Sequence, residues 1–97
     1  MLNLEILRSQ YKNAILAIAS RHHTDNVRVF GSVAHGTESE DSDLDLLVRA
    51  MEGCSLMDLC AMQREISELL GIKVDLLSER EVREELEPFI ISEAEEL

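Results

Sequence analysis

Apolar residues recur along the chain with two different spacings, which divide it into helical and extended segments. Residues 2–21 carry apolar positions every three or four residues and predict a helix. Its apolar positions are Leu4, Leu7, Tyr11, Ala14, Ile15 and Ile18. His22 and His23 follow at its C-terminus, where their partial charge suits the helix dipole. A second helix is predicted from a cap at Ser55 and Asp58 to about Leu70, with Gly71 as its C-terminal stop.

Three short runs are typical of β-strands because they are rich in β-branched residues or alternate between apolar and polar positions. They cover residues 27–30, 44–49 and 72–77, and the first follows a predicted turn at residues 23–26. After the third strand, Ser78 is predicted to cap a helix over residues 79–87, which ends at Pro88 before a short amphipathic end at residues 89–97. Helices that alternate with strands predict a small α/β domain.

Length and composition agree with one globular unit. The chain has 97 residues, of which 45% are apolar and 30% charged, so we expect a single domain over residues 1–97. No apolar run approaches the ~20 residues of a membrane span, and the N-terminus lacks the basic and then apolar pattern of an export signal. These features favour a cytoplasmic protein without a membrane partner.

The formal net charge of −11 limits the classes of binding partner. A chain this negative repels nucleic acid unless a local basic patch intervenes, and the sequence contains none. We therefore expect no direct nucleic-acid binding, and instead either a partner with a basic surface or bound cations. Cys54 and Cys60 have no matching His or Cys pair for zinc and are predicted to be reduced and inert.

Acidic residues are concentrated in the segment GSVAHGTESEDSDLD at residues 31–45, where five lie within eight positions. They are Glu38, Glu40, Asp41, Asp43 and Asp45. Because side chains alternate along a strand, Asp43 and Asp45 share one face of the second strand, and Asp75 lies on a corresponding face of the third. If these strands are neighbours, the three carboxylates converge, and a cation would offset the cost of an unpaired carboxylate among apolar residues.

Three converging carboxylates form a hard-oxygen site that suits Mg²⁺, which completes its coordination with water and phosphate oxygens. Two such ions ~4 Å apart activate an attacking hydroxyl and stabilise a leaving pyrophosphate. Gly31 would let the backbone approach a phosphate, and Ser32 would offer a hydroxyl and an amide. Glu38, Glu40 and Asp41 are assigned to a solvated loop.

This pattern of Gly31-Ser32, ten intervening residues, Asp43-x-Asp45 and a later Asp75 resembles the nucleotidyltransferase signature. By this resemblance the chain is a minimal nucleotidyltransferase, the DNA polymerase β-like core without an added domain, with a small mixed sheet packed with helices. The resemblance implies that Gly31 and Ser32 hold the β- and γ-phosphates of ATP. It also implies that Asp43 and Asp45 bind Mg²⁺, and that Asp75 joins one ion and helps to deprotonate the acceptor.

Stand-alone members of this family are commonly antitoxins encoded beside a HEPN-type RNase toxin, as in HEPN/MNT systems. The resemblance therefore implies transfer of AMP from ATP to a tyrosine of a HEPN-type RNase toxin. A core this small leaves its cleft open on one side, so a partner is expected to complete it in a hetero-oligomer. One departure is His35, where the family often has Arg. Imidazole is mostly neutral at pH 7 and lacks the guanidinium fork, so triphosphate binding is expected to be weaker or pH-dependent.

Three other functions are compatible with parts of the pattern. One is an antitoxin that acts by binding alone, and another is a small-molecule adenylyltransferase whose missing helical domain comes from a partner subunit. The third is a calcium loop, because acidic residues occupy positions 1, 3, 5 and 12 of an EF-hand: Asp41, Asp43, Asp45 and Glu52. However, Leu46 stands where that loop needs glycine.

Overall fold

The structure, a computed structural model, describes residues 3–31, 44–79 and 94–97. The helical elements in these ranges are α1 (Leu4–Ile6), a π-helical turn (Leu7–Tyr11), α2 (Lys12–Arg21) and α3 (Leu56–Leu70). The strands are β1 (Thr24–Phe30), β2 (Leu44–Ala50), β3 (Val74–Ser78) and β4 (Glu95–Glu96). They form one sheet in the order β3-β2-β1-β4. Because β2 and β3 are parallel while β1 is antiparallel to both of its neighbours, the sheet is mixed, and the predicted α/β class is confirmed.

The N-terminal helix predicted over residues 2–21 is confirmed from Leu4 to Arg21, with one irregularity. The side chain of Asn3 caps it by accepting a hydrogen bond from the Ile6 amide at 2.8 Å. A π-helical turn interrupts the α-helix at Leu7–Tyr11, and the apolar periodicity did not predict it.

The first strand begins three residues earlier than predicted, so the turn expected at residues 23–26 is wrong for its last three positions. Thr24 is buried and its hydroxyl donates to the Ala19 carbonyl at 3.1 Å, which joins the strand to the end of α2. The pairing with β2 shifts between Asp25 and Arg28, and Asn26 has a φ of 50°. Such a β-bulge interrupts strict alternation, which explains why the sequence pattern did not reveal this half of the strand.

The helix α3 follows its sequence signals closely. The Ser55 hydroxyl accepts a hydrogen bond from the Asp58 amide, and the Asp58 carboxylate accepts one from the Ser55 amide, so a capping box starts the helix. Gly71 ends it in the left-handed conformation with φ 70°. Local side chains therefore fix both ends of this helix.

The third strand and the C-terminus differ in detail from the prediction. β3 starts two residues later than expected and ends at Ser78. The predicted role of Ser78 as a helix cap stays a prediction. The helix predicted over residues 79–87 lies outside the described residues, apart from Glu79. At the C-terminus, β4 pairs with β1, and the Arg8 guanidinium donates to the Glu96 carbonyl, with Nε at 3.2 Å. The sequence did not predict this two-residue strand, because both of its side chains are acidic and exposed.

Both helices cover the same face of the sheet. α2 packs on β1 and α3 packs on β3, and the two helices also contact each other. The core between them contains apolar residues from helices and strands, including Leu7, Ile15, Val29, Leu44, Leu46, Val48, Met62 and Ile66. The alternation predicted for β2 is thus confirmed, because its even-numbered residues point into this core. No helix in the described ranges is both long and apolar enough to cross a membrane.

Candidate active site

Asp45 and Asp75 are directly opposite each other in neighbouring strands. They are Cα partners in the parallel pairing of β2 with β3, and both are half-buried. Paired residues project to the same face of a sheet, and neighbouring strands lie about 4.8 Å apart. The helices cover the other face, on which Leu44 and Leu46 point into the core. The expectation that these two aspartates share one sheet face is therefore confirmed, while their role as metal ligands stays a prediction.

Most of the predicted site residues on the acidic segment are not described by the structure. Ser32, His35 and Asp43 lie outside the described residues, and so do Glu38, Glu40 and Asp41. Their assigned roles stay predictions. Asp43 immediately precedes β2, whose first amide, that of Leu44, donates to the Lys73 carbonyl at 3.1 Å. A regular strand that follows Asp43 does not suit a calcium loop, because Asp45 and Leu46 belong to β2 and Leu46 is fully buried.

Gly31 lies directly beside the Asp45 carboxylate. It ends β1 with a φ of 75°, and Phe30 is the Cα partner of Asp45. A Cβ atom built on Gly31 would lie 2.4 Å from Oδ2 of Asp45, closer than side-chain carbons approach an oxygen. Glycine at this position therefore supplies both a left-handed backbone and the space that the carboxylate occupies. From the sequence we expected the space at Gly31 to admit a phosphate, whereas in the structure the Asp45 carboxylate lies there.

The two aspartates are suitable ligands for a divalent cation. Their carboxylate oxygens are the donors that Mg²⁺ prefers, and opposite positions on adjacent strands bring them to one place. Within residues 3–31, 44–79 and 94–97, no group of three His, Cys, Asp or Glu side chains could hold a metal. The third predicted ligand, Asp43, is outside those ranges. The described residues thus supply two of the three predicted carboxylates.

A set of ion pairs lies on the same face, further along the strands. The Arg28 guanidinium donates to Glu79 Oε1 at 2.7 Å, and that of Arg49 donates through Nε to Asp25 Oδ1 at 2.7 Å. The hydrogen bond from Arg49 holds the pKa of the Asp25 carboxyl below its usual value, and the same bond raises the pKa of Arg49. Sequence reasoning missed both pairs because each joins residues that are more than 20 positions apart.

A second polar cluster connects the two helices on the core side of the sheet. His22 lies at the end of α2, as predicted, with Nδ1 3.2 Å from Asp58 Oδ1 and Nε2 against Glu65. Each ring nitrogen of His22 thus faces a carboxylate of α3. The pKa of Asp58 is lowered, first by its bond from the Ser55 amide and then by His22, and His22 is the main cause of the lowered pKa of Glu65. Neither Cys54 nor Cys60 is in a disulfide.

Comparison with known proteins identifies similar sequences over nearly the whole chain. The profile of the nucleotidyltransferase domain family matches residues 11–97. A Methanocaldococcus jannaschii protein provisionally named protein adenylyltransferase MJ0435 is 36% identical over 86 residues, which cover 89% of this chain and 92% of that protein. Protein adenylyltransferase MntA of Thermococcus cleftensis is 30% identical over 93 residues, covering 96% of this chain and 94% of that protein.

Solved structures extend the similarity to the fold. A structure provisionally described as a minimal nucleotidyltransferase superposes with a TM-score of 0.83 at 42% identity, covering 99% of this chain and 95% of the other. A complex of a tri-AMPylated Shewanella oneidensis HEPN toxin with an MNT antitoxin contains a chain that superposes with a TM-score of 0.66 at 17% identity, covering 88% of this chain and 66% of that one. The expected minimal, polymerase β-like fold is confirmed.

Proposed function

The chain belongs to the nucleotidyltransferase domain family, and from this premise we propose that it is a Mg²⁺-dependent protein adenylyltransferase. The substrate we propose is a tyrosine of a HEPN-type RNase toxin, which would receive AMP from ATP. Two observations on other proteins support this choice. The relatives described above are named protein adenylyltransferases, and one protein of the same fold is an MNT antitoxin in complex with an AMPylated HEPN toxin.

The pairing of Asp45 with Asp75 is the structural observation that carries the proposal. It places two carboxylates on the sheet face opposite the helices, and it places Gly31 against one of them. Facing positions on adjacent strands bring the oxygens of two carboxylates to one place, and such oxygens are the ligands that Mg²⁺ prefers. A site that collects hard-oxygen ligands beside Gly31 is suited to a metal-bound triphosphate.

In the proposed reaction the tyrosine oxygen forms a bond to the α-phosphorus of ATP, and the bond from that phosphorus to the β-phosphate oxygen breaks. Pyrophosphate leaves with the electron pair, and Asp75 accepts the hydroxyl proton. Asp43, Asp45 and Asp75 would hold Mg²⁺, which when bound neutralises phosphate charge and stabilises the leaving group. Gly31 and Ser32 would hold the β- and γ-phosphates and so keep the α-phosphorus in line with the attacking oxygen.

The charge of the chain suits a protein acceptor with a basic surface. At a formal net charge of −11 it would associate quickly with a cationic partner, such as the RNA-binding side of an RNase, and the rate would fall as salt is added.

The proposal is tested with purified protein, Mg²⁺, ATP labelled in its α-phosphate, and the HEPN toxin encoded beside this chain's gene. We expect label on the wild-type toxin, no label on a toxin whose acceptor tyrosine is replaced by phenylalanine, and no label after addition of EDTA. The Asp45→Asn protein should bind the toxin but not label it. A wild-type protein that labels no toxin would overturn the proposal.

The same assay separates the two other functions. If Asp45→Asn still neutralises the toxin fully in cells, the chain acts by binding alone. If label appears on an aminoglycoside or another small hydroxyl compound only when a partner subunit is added, the chain is a small-molecule adenylyltransferase.

A further inference from the structure

On the sheet face that carries the two aspartates, Cα partners of β1, β2 and β3 form rows that run across the strands. The pairing of β1 with β2 and of β2 with β3 defines a first row of Phe30, Asp45 and Asp75. The next row along the strands contains Arg28, Leu47 and Leu77. Residues two positions apart on a strand lie about 6.6 Å apart, so the second row is the immediate neighbour of the first.

Arg28 joins the two outer strands of this three-stranded region. It lies on β1, and its Nη2 donates to Glu79 Oε1 at 2.7 Å. Glu79 follows the last residue of β3, and its amide continues the parallel pairing by donating to the Val48 carbonyl at 2.9 Å. The two strands are about 10 Å apart, since β2 lies between them. The Arg28 side chain therefore reaches across the width of β2.

The conformation of Arg28 is fixed at two points in a nearly buried setting. Its Nε donates to the Asn26 carbonyl at 3.1 Å, and only 8% of the residue is exposed. Leu47, which lies between β1 and β3 in the same row, is fully buried although it faces away from the helices. Arginine is rarely buried unless it is paired, so this contact is not an incidental surface ion pair.

The ion pair of Asp25 and Arg49 on the same face provides the contrast. It joins β1 and β2, which are already hydrogen-bonded neighbours, through residues that are Cα partners. The side chains of Asp25 and Arg49 are 37% and 57% exposed, whereas that of Arg28 is 9% exposed. The exposed pair therefore adds little to the register of the sheet and does not reach β3.

We propose that Arg28, through its ion pair with Glu79, is a positioning residue that keeps Asp45 and Asp75 in register with each other and with Gly31. These three residues belong to or directly follow three different strands, and β3 is an outer strand of the described sheet. Arg28 reaches from β1 to the end of β3, so its loss removes a direct link between these strands and leaves their relative position to the pairing of each with β2. The inference rests on the proposed function, since it assigns a purpose to the geometry of that site.

The test compares Arg28→Gln, Glu79→Gln and their double variant with Arg49→Gln as the matched control. Binding of Mn²⁺, measured by electron paramagnetic resonance in the presence of a non-hydrolysable ATP analogue, reports on the carboxylates without any turnover. Single-turnover AMP transfer gives the rate. Thermal unfolding followed by circular dichroism identifies a temperature at which every variant is folded, and all measurements are made there. Glu79→Gln removes the same ion pair at its more exposed partner and should disturb folding less, so it gives a result even if Arg28→Gln fails to fold.

We expect Arg28→Gln and Glu79→Gln each to weaken Mn²⁺ binding and slow transfer by about tenfold to a hundredfold, as for other residues that orient metal ligands. The double variant should lose no more Mn²⁺ affinity or transfer rate than the more impaired of the two single variants, because both changes remove the same contact. Arg28→Lys, which keeps the charge but cannot bond Asn26 and Glu79 together, should recover part of the loss. Arg49→Gln should stay within about twofold of wild type.

Lower melting temperatures with unchanged Mn²⁺ affinity and transfer rate in the folded variants would overturn the inference and leave Arg28 a structural residue. If wild type binds Mn²⁺ through Asp75 but transfers no AMP, the proposed function fails, while the Mn²⁺ comparison still decides the positioning role. A wild-type protein that binds no Mn²⁺ would overturn both.

Discussion

The two faces of the central strand β2 differ in charge, although each contains a fully buried leucine. On one face Leu44, Leu46 and Val48 are fully buried in the core beneath α2 and α3. On the other face Asp45 is half-buried and Arg49 is exposed. The first face stabilises the fold by burying apolar side chains, whereas the second carries Asp45 and Arg49 on either side of the buried Leu47. Substitutions on the two faces should therefore separate stability from activity.

The largest expected effect is on the charged face. Asp75→Asn should lower the rate of AMP transfer by about a hundredfold to a thousandfold, because it removes a metal ligand and a proton acceptor. The free energy of unfolding should stay within about 1 kcal/mol of wild type, since asparagine has nearly the same size and shape as aspartate. Labelled transfer and urea unfolding measure the two quantities, with the exposed Glu68→Gln as the control. An Asp75→Asn protein that keeps most of its transfer rate would refute this assignment.

On the core face the effect is expected on stability instead. Leu46→Ala removes a fully buried side chain and should lower the free energy of unfolding by about 2–5 kcal/mol. Urea unfolding followed by circular dichroism measures the change, and Leu56→Ala, at a residue that is 73% exposed, should stay within about 0.5 kcal/mol of wild type. The transfer rate per folded Leu46→Ala molecule should be near that of wild type. A large loss of that rate would show that the two faces are not independent.

A substitution at Gly31 should affect both stability and activity, because Gly31 combines a left-handed backbone with a contact to Asp45. Gly31→Ala and Gly71→Ala place alanine at φ values of 75° and 70°, and each should cost about 1–2 kcal/mol of stability. The space around Gly71 is open, whereas a Cβ on Gly31 displaces the Asp45 carboxylate. We therefore expect at least a tenfold loss of transfer for Gly31→Ala and little loss for Gly71→Ala. Equal rates in the two variants would remove the role assigned to this contact.

The smallest expected effect concerns the polar cluster between α2 and α3. The folded state lowers the pKa values of Asp58 and Glu65, so their contribution to stability is present above the ordinary carboxyl pKa of about 4 and is lost as the pH falls through the lowered values. The difference in melting temperature between wild type and His22→Gln should accordingly be larger at pH 5.5 than at about pH 3. A difference that stays constant over this range would contradict the assigned contacts.

Several parts of the fold follow from local sequence. Helix α3 was predicted with both ends, because Ser55, Asp58 and Gly71 act within a few residues of the positions that they cap. The face of β2 that enters the core was predicted because alternation needs no knowledge of other strands. By contrast, the bulge near Asn26 and β4 depend on pairing with strands distant in sequence. The π-helical turn left no pattern that could be recognised in the sequence.

The candidate site shows the same division. The sequence by itself selected Gly31, Ser32, Asp43, Asp45 and Asp75, because residue type and spacing are properties of the chain, and its alternation assigned the aspartates to faces. Only the tertiary structure decided that β2 and β3 are parallel neighbours in a register that sets Asp45 opposite Asp75. It alone also decided that Gly31 makes room for Asp45 and that Arg28 meets Glu79. Strand order and register arise from packing between segments far apart in the chain, and no local pattern encodes them.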